Sequence, residues 1–162
     1  MHYNLESLVP LQKKLDETIR NNHHVTNEDT INERILAFIV ELGEFANETR
    51  CFKYWSLKKA SEASVILEEY VDGIHFLLSL GIDYNINFNF DIICDNDNLT
   101  LLILDVSAKA AQLVNNINKD NLENVFKTYL KIAAANNIDE QAIINAYLRK
   151  NEVNFERQEN NY

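Results

Sequence analysis

Apolar residues return along this chain at alternating three- and four-residue intervals, the spacing that lays them along one side of an α-helix. Leu5, Leu8, Leu11, Leu15 and Ile19 predict a first helix over residues 4–21. Ile31, Ile35, Phe38, Ile39, Leu42, Phe45 and Ala46 make one stripe of a second helix that runs to about residue 50. A third covers about 61–81, with Ile66, Tyr70, Ile74 and Leu77 near one face and Gly81 placed as a C-terminal cap. Helical spacing is interrupted over 82–98, where NINFNF alternates polar and apolar residues and fits either a short strand or an irregular excursion. It resumes over about 99–116, 121–136 and 139–157. Thr26 and Asn27 stand as N-cap candidates ahead of Glu28 and Asp29, and Pro10 either ends a short lead-in or opens the first helix.

Composition narrows the class. Three glycines and one proline in 162 residues are too few for the turns of a strand-rich fold. The expectation is an all-α protein: one domain over 1–162, a bundle of about six helices with the second and third as a central antiparallel pair. A net charge of −10 speaks against a nucleic-acid polymer as partner, since phosphate backbones select basic surfaces. It leaves room for a nucleotide whose phosphates meet carboxylates through a metal ion. Two cysteines, Cys51 and Cys94, give neither a disulfide framework nor zinc spacing and point to a reducing compartment. With no basic leader before an apolar run and no apolar stretch of membrane-spanning length, a cytoplasmic location away from membranes is expected.

Candidate chemistry lies on the second and third helices. Glu41 and Glu44 fall one turn apart beside the apolar stripe of the second helix, with Glu48 on the same narrow arc. Glu69 and Asp72 repeat the i, i+3 pair on the third, sharing their face with Phe76. Like charges at this spacing repel by a few tenths of a kcal/mol per pair. Two such pairs on facing helices suit a hard divalent cation that takes carboxylate oxygens and leaves positions for substrate phosphates. The plainer interpretation of each pair is a solvated acidic face.

The order of motifs adds to this. Glu41-x-x-Glu44, 24 intervening residues, then Glu69-x-x-Asp72 resembles the signature of the all-α nucleotide pyrophosphatase superfamily, to which MazG-like proteins belong. More narrowly, ELGEFANETRCFKYWS, ILEEYVDGIHFLLSLGI, YLRKNEVNFERQENNY and Gln12-x-x-Leu15-Asp16 resemble the dimeric all-helical dUTPase family, in that family's order and over nearly the whole chain. The resemblance implies a dUTP diphosphatase, acting also on dUDP, with two or more magnesium ions held by Glu41, Glu44, Glu69 and Asp72. It implies in-line attack of water on the α-phosphorus, with Glu41 or Glu44 activating that water. Lys53 and Trp55 are then placed at the pocket wall, and Lys150 and Arg157 on the β- and γ-phosphates. Gln12, Asp16 and Asn154 go to the uracil edge or sugar, His75 and Phe76 to the base and deoxyribose, and Tyr162 to the closing motif. That motif departs from the family in carrying Asn161 where a glycine is usual. The implied assembly is a homodimer, and the apolar residues of the last three helices, Leu101 to Leu104 above all, are the expected interface. If the chain is phage-encoded, a repressor-type protein is a further partner. The rivals are a related house-cleaning pyrophosphatase for dCTP or a modified nucleotide, and a regulatory binding module on the same fold.

Overall fold

Residues 1–94 and 98–160, which the computed structural model describes, form six α-helices and one two-stranded antiparallel ribbon. The helices are α1 (Val9–His23), α2 (Ile31–Thr49), α3 (Ala63–Asp83), α4 (Leu99–Leu113), α5 (Lys119–Ala135) and α6 (Glu140–Glu159). The ribbon pairs β1 (His2–Asn4) with β2 (Asn89–Asp91), Tyr3 opposite Phe90. This is the expected all-α bundle, and no described helix is long and apolar enough to cross a membrane.

Two local differences from the expected elements have simple causes. The first helix does not start at residue 4: residues 2–4 are strand, Glu6–Leu8 is one 3₁₀ turn, and Pro10 sits in the first turn of α1, where its missing N–H is not needed. Of the alternating NINFNF segment only the last two residues, Asn89 and Phe90, are strand, and the rest is an irregular return in which Phe88, like Phe90, packs inward against Phe126. Starts elsewhere follow the sequence: the side chains of Asn98, Asn118 and Asp139 each accept a backbone N–H from the first turn of α4, α5 and α6. Thr26 accepts from the N–H of Asp29, whose carboxylate accepts in return from Thr26.

Gly81 is not a cap. It lies inside α3, and a Cβ there would fall 2.6 Å from Ile86 Cδ1 and 2.9 Å from Phe88, so glycine lets the returning chain cross the helix. The helix closes two residues later through left-handed Asn85 (φ 52°), with Asn85 N–H bonded to Ile82 O and Ile86 N–H to Gly81 O.

α2 and α3 are the most closely packed pair and form an antiparallel hairpin, clasped at its connected end by Ser61, which bonds the Glu48 carbonyl and carboxylate. α1 and α6 close over one side of α3, while α4 and α5 back the other side of the pair. The centre is aromatic. The Tyr70 and Tyr129 rings stack at 4.4 Å, and each hydroxyl donates to the other residue's backbone carbonyl, at 3.2 and 2.7 Å. The expected interface helices separate here: Val125, Phe126, Tyr129, Leu130 and Ile132 of α5 and Ile143 and Tyr147 of α6 are all consumed by the core of the single chain. Leu101 and Leu104 of α4 point outward.

Candidate active site

The apolar stripes that glue α2 to α3 leave the flanking arcs of both helices at the seam, and the acids occupy those arcs. Glu41, Glu69 and Asp72 are half-buried and bring one carboxylate oxygen each within 4.8 Å of the others, the one such acidic group among the described residues. Burial pushes the Glu41 carboxyl up to about 7, with Asp72, Glu44 and Glu69 adding to the rise. Burial raises Glu69 as well, again with help from Asp72 and Glu44. Glu44 itself is exposed and stands outside the tight trio, yet its charge acts on both Glu41 and Glu69, which sets it at the open rim. Glu48, one turn further, is engaged by Ser61 and Asn47.

Beside the trio opens a cavity of about 430 Å³ between α1, α2, α3 and α6, with Glu41 and Asp72 in its wall. Gln12, Asp16, His75, Phe76, Lys150, Asn154 and Arg157 all line it. Four helices thus converge residues that lie as much as 145 positions apart, from Gln12 to Arg157.

Behind the wall, hydrogen bonds fix the orientation of the polar groups. The Gln12 amide donates to Asp16 Oδ1 at 2.7 Å, so its oxygen faces the other way and accepts from the Tyr147 hydroxyl at 2.8 Å. His75 Nδ1 lies 3.1 Å from that same oxygen, which makes Nδ1 the protonated nitrogen and leaves Nε2 a bare acceptor. Nε2 is buried with no partner among the described residues. Burial, helped by Lys150, drives the His75 pKa down to about 3, so the ring stays neutral in that tautomer. Tyr147 stacks on it at 4.0 Å and holds its plane. Burial raises the Asp16 pKa against the hydrogen bond from Gln12.

Lys150 reaches across from α6 to α3, with Nζ 2.6 Å from Asp72 Oδ2 and 3.4 Å from Glu68. At Asp72 burial outweighs this ion pair and the net shift is upward; at Lys150 burial works downward but the Asp72 hydrogen bond and charge prevail. Both directions agree that the pair sits in a partly dried place where one cation serves several acids.

Sequence reasoning missed the far end of the cavity. Arg34 donates to Ser79 Oγ at 3.0 Å and to the Asn27 carbonyl at 2.7 Å, and pairs with Asp83 at 2.7 Å. Arg20 donates to the Asn27 side chain at 2.6 Å. The signal was present: Arg34 precedes Glu41 by seven residues and Ser79 follows Asp72 by seven, two turns along the same faces. Of the acids, Glu44 and Glu69 stand outside the cavity lining, and two expected substrate-binding residues are not brought to it either. Lys53 and Trp55 lie in the α2–α3 connection, where Lys53 Nζ bonds Asn47 and Trp55 packs on Phe52 and Tyr54 with 64% of its surface exposed. Tyr162 lies outside the described residues.

The family model described as dUTPase matches the chain over residues 4–162. No curated protein matches it.

Proposed function

Since the chain belongs to the dUTPase family, it is a dUTP diphosphatase, and we propose that the acids of the central helix pair perform this hydrolysis with magnesium. The observation that carries the proposal is the convergence of Glu41, Glu69 and Asp72 within 4.8 Å beside a cavity whose wall carries Glu41, Asp72, Gln12 and His75.

The donors suit the ion. All three are hard carboxylate oxygens, and each holds its proton more tightly than an ordinary carboxyl because burial and its acidic neighbours penalise the charged form. Glu41, Glu44, Glu69 and Asp72 would hold two or more magnesium ions. Bound there, magnesium neutralises charge developing on the phosphates and acidifies a coordinated water.

The chain's own groups do the rest. Glu41, whose carboxyl titrates near neutrality, and Glu44 beside it are the bases suited to orient a water toward the α-phosphorus and take its proton. Lys150, next to Asp72, supplies a point charge to the β- and γ-phosphates, and Arg157 in the same wall supplies a fork. His75 Nε2, a buried acceptor that cannot become a donor near neutral pH, matches the N3–H of uracil or a sugar hydroxyl. Phe76 lines the same wall and supports the base, while Gln12, Asp16 and Asn154 complete its polar surround. The protein is proposed to work as a homodimer, supported by the outward leucines of α4, which a single chain leaves in water.

Pyrophosphate release from dUTP, dCTP, dTTP and UTP, with and without magnesium, tests the reading. The expected result is magnesium-dependent release with dUTP preferred about a hundredfold or more over dTTP and UTP, the discrimination a hydrogen-bonding site delivers. A preference for dCTP would move the substrate within the superfamily, and turnover without a divalent ion would overturn the role of the acids.

A further inference from the structure

Arg34 turns its guanidinium inward from α2, at the end of the cavity away from the acids. Nη1 bonds Ser79 Oγ at 3.0 Å and lies 2.7 Å from Asp83 Oδ2, while Nη2 bonds the Asn27 carbonyl at 2.7 Å. Asp83 also accepts from the Asn27 side chain, so the guanidinium is braced on two sides. Ser79, buried on α3, accepts from Arg34 and keeps its own hydrogen to give. The group that takes it is Asp16, across the cavity on α1. Burial works against a charge on Asp16, while hydrogen bonds from Gln12 and Ser79 and the charges of Arg34 and Arg20 favour it. Neither Arg34 nor Ser79 has a part in the hydrolysis itself.

From Asp16 onward the direction of each hydrogen bond is forced. A carboxylate only accepts, so Gln12 turns its Nε2 to Asp16 Oδ1, 2.7 Å away. Its Oε1 then faces the core, where the Tyr147 hydroxyl donates at 2.8 Å and His75 Nδ1 lies at 3.1 Å. An oxygen in that place requires the imidazole proton on Nδ1 and leaves Nε2 bare. Gln12 and His75 keep only 3% and 6% of their surface in water, so solvent does not offer them other partners. With the amide reversed, oxygen would meet oxygen at Asp16, and Gln12 Nε2 would donate to His75 Nδ1. The imidazole proton would then sit on Nε2. Tyr147 is no obstacle to that reversal, since a hydroxyl both gives and takes. The acid two links away therefore selects the tautomer.

We propose that Arg34, Ser79 and Asp16 are positioning residues that decide which pyrimidine the site accepts, acting through Gln12 on the tautomer of His75. A bare Nε2 accepts from the N3–H of uracil. The N3 of cytosine is itself a lone pair, so acceptor faces acceptor in a dry place and neither is satisfied. Thymine carries the same N3–H as uracil. The relay therefore separates cytosine from the other two bases and leaves the thymine methyl to the shape of the cavity. Asp16 lines the same wall as His75, yet its effect on the base passes through the Gln12 amide. The inference rests on the base lying against His75 in the proposed hydrolase site.

Asp16→Asn tests the relay at its obligate acceptor, because a carboxamide can donate to Gln12 Oε1 and so permit the reversed amide. Long-range proton–nitrogen NMR correlation of the protein without metal or nucleotide reads the imidazole directly, with His75 assigned by its absence in His75→Phe. The expected result is a proton on Nδ1 in the wild type and on Nε2 in a measurable fraction of Asp16→Asn. kcat/KM for dUTP, dTTP and dCTP is then compared with magnesium present. The dUTP-to-dCTP ratio is expected to fall about tenfold or more in Asp16→Asn, while the dUTP-to-dTTP ratio stays within about twofold. Ser79→Ala removes a donor to Asp16 and is expected to move both readouts the same way, with the dUTP-to-dCTP ratio falling roughly threefold. It decides the matter alone if Asp16→Asn is unfolded by circular dichroism. A wild-type proton on Nε2, an unchanged tautomer in the folded variants, an unchanged dUTP-to-dCTP ratio, or an equal fall of both ratios overturns the proposal. If the wild type hydrolyses no dUTP, the reading of the acids falls, and the His75 tautomers still decide the relay.

Discussion

Lys150 Nζ lies 2.6 Å from Asp72 Oδ2, and the two side chains keep only 16% and 13% of their surface in water. A cation lodged against a proposed metal-binding carboxylate ties α6 to α3 at the point where phosphates and acids meet. Lys150→Met is expected to raise KM for dUTP at least tenfold while the affinity for dUMP changes little, since the product lacks the β- and γ-phosphates. Stability is expected to fall by about 1–3 kcal/mol, the cost of stripping a charged group of its partner. An unchanged KM with the same loss of stability, measured by steady-state kinetics and urea unfolding, would assign Lys150 to the scaffold alone.

Glu44→Gln separates charge from packing. Glu44 is exposed and its charge raises the pKa of Glu41 and Glu69, so removing it takes a repulsion out of the fold. The variant is expected to be as stable as the parent or slightly more so, and to lose nearly all turnover. Loss of activity together with gross unfolding would mark Glu44 as structural instead.

Protons and magnesium compete at Glu41. Its carboxyl is raised from 4.5 to about 7 in the folded chain, so between those values the folded chain binds more protons than the unfolded one. Without metal, this group's contribution to stability therefore falls as pH rises through that window. Magnesium binds the deprotonated form, so its affinity is expected to climb from pH 5.5 to about pH 7 and then level off. Calorimetry at pH 6.5 in buffers of different ionisation enthalpy should detect proton release on magnesium binding. A pH-independent affinity would exclude Glu41 from the ligand set.

Gly73 has a packing role that an alanine reveals. A Cβ there would fall 2.4 Å from the Tyr129 hydroxyl, the group that donates to the Tyr70 carbonyl at 2.7 Å. Gly73→Ala is expected to destabilise by about 1–3 kcal/mol through overpacking, more if the buried hydrogen bond is lost as well. Tyr129→Phe removes the clashing oxygen, so the double variant is expected to regain part of the loss relative to additivity. Thermal unfolding of the four proteins checks it, and strict additivity would show that the clash is relieved elsewhere.

The family resemblance and the carboxylate quartet were legible in the sequence because both live on helices. A period of 3.6 residues converts spacing into direction, so Glu41, Glu44, Glu69 and Asp72 could be assigned to two arcs before any coordinates. The same rule fixed the all-α class and the central pair, whereas the capping roles of Asn98 and Asn118 emerged only with the structure. Other features depend on partners far along the chain, which spacing does not encode. Gly81 has the look of a helix end, yet Ile86 and Phe88, folded back against it, give it its purpose. Asn4 opens the expected first helix and is strand instead, because Asn89 arrives beside it.

What the sequence alone determined was the helical order, the acidic arcs and the family. What the tertiary structure decided was which acids meet, which nitrogen of His75 is bare, and which apolar faces stay uncovered. α5 and the outer stripe of α4 carry similar patterns of leucine, isoleucine and alanine, and only packing tells them apart. The core closes around α5, and among the described residues no element lies over the outer stripe of α4. A helical stripe is a demand for burial that any apolar surface can meet, and the three-dimensional path of the chain determines which surface does.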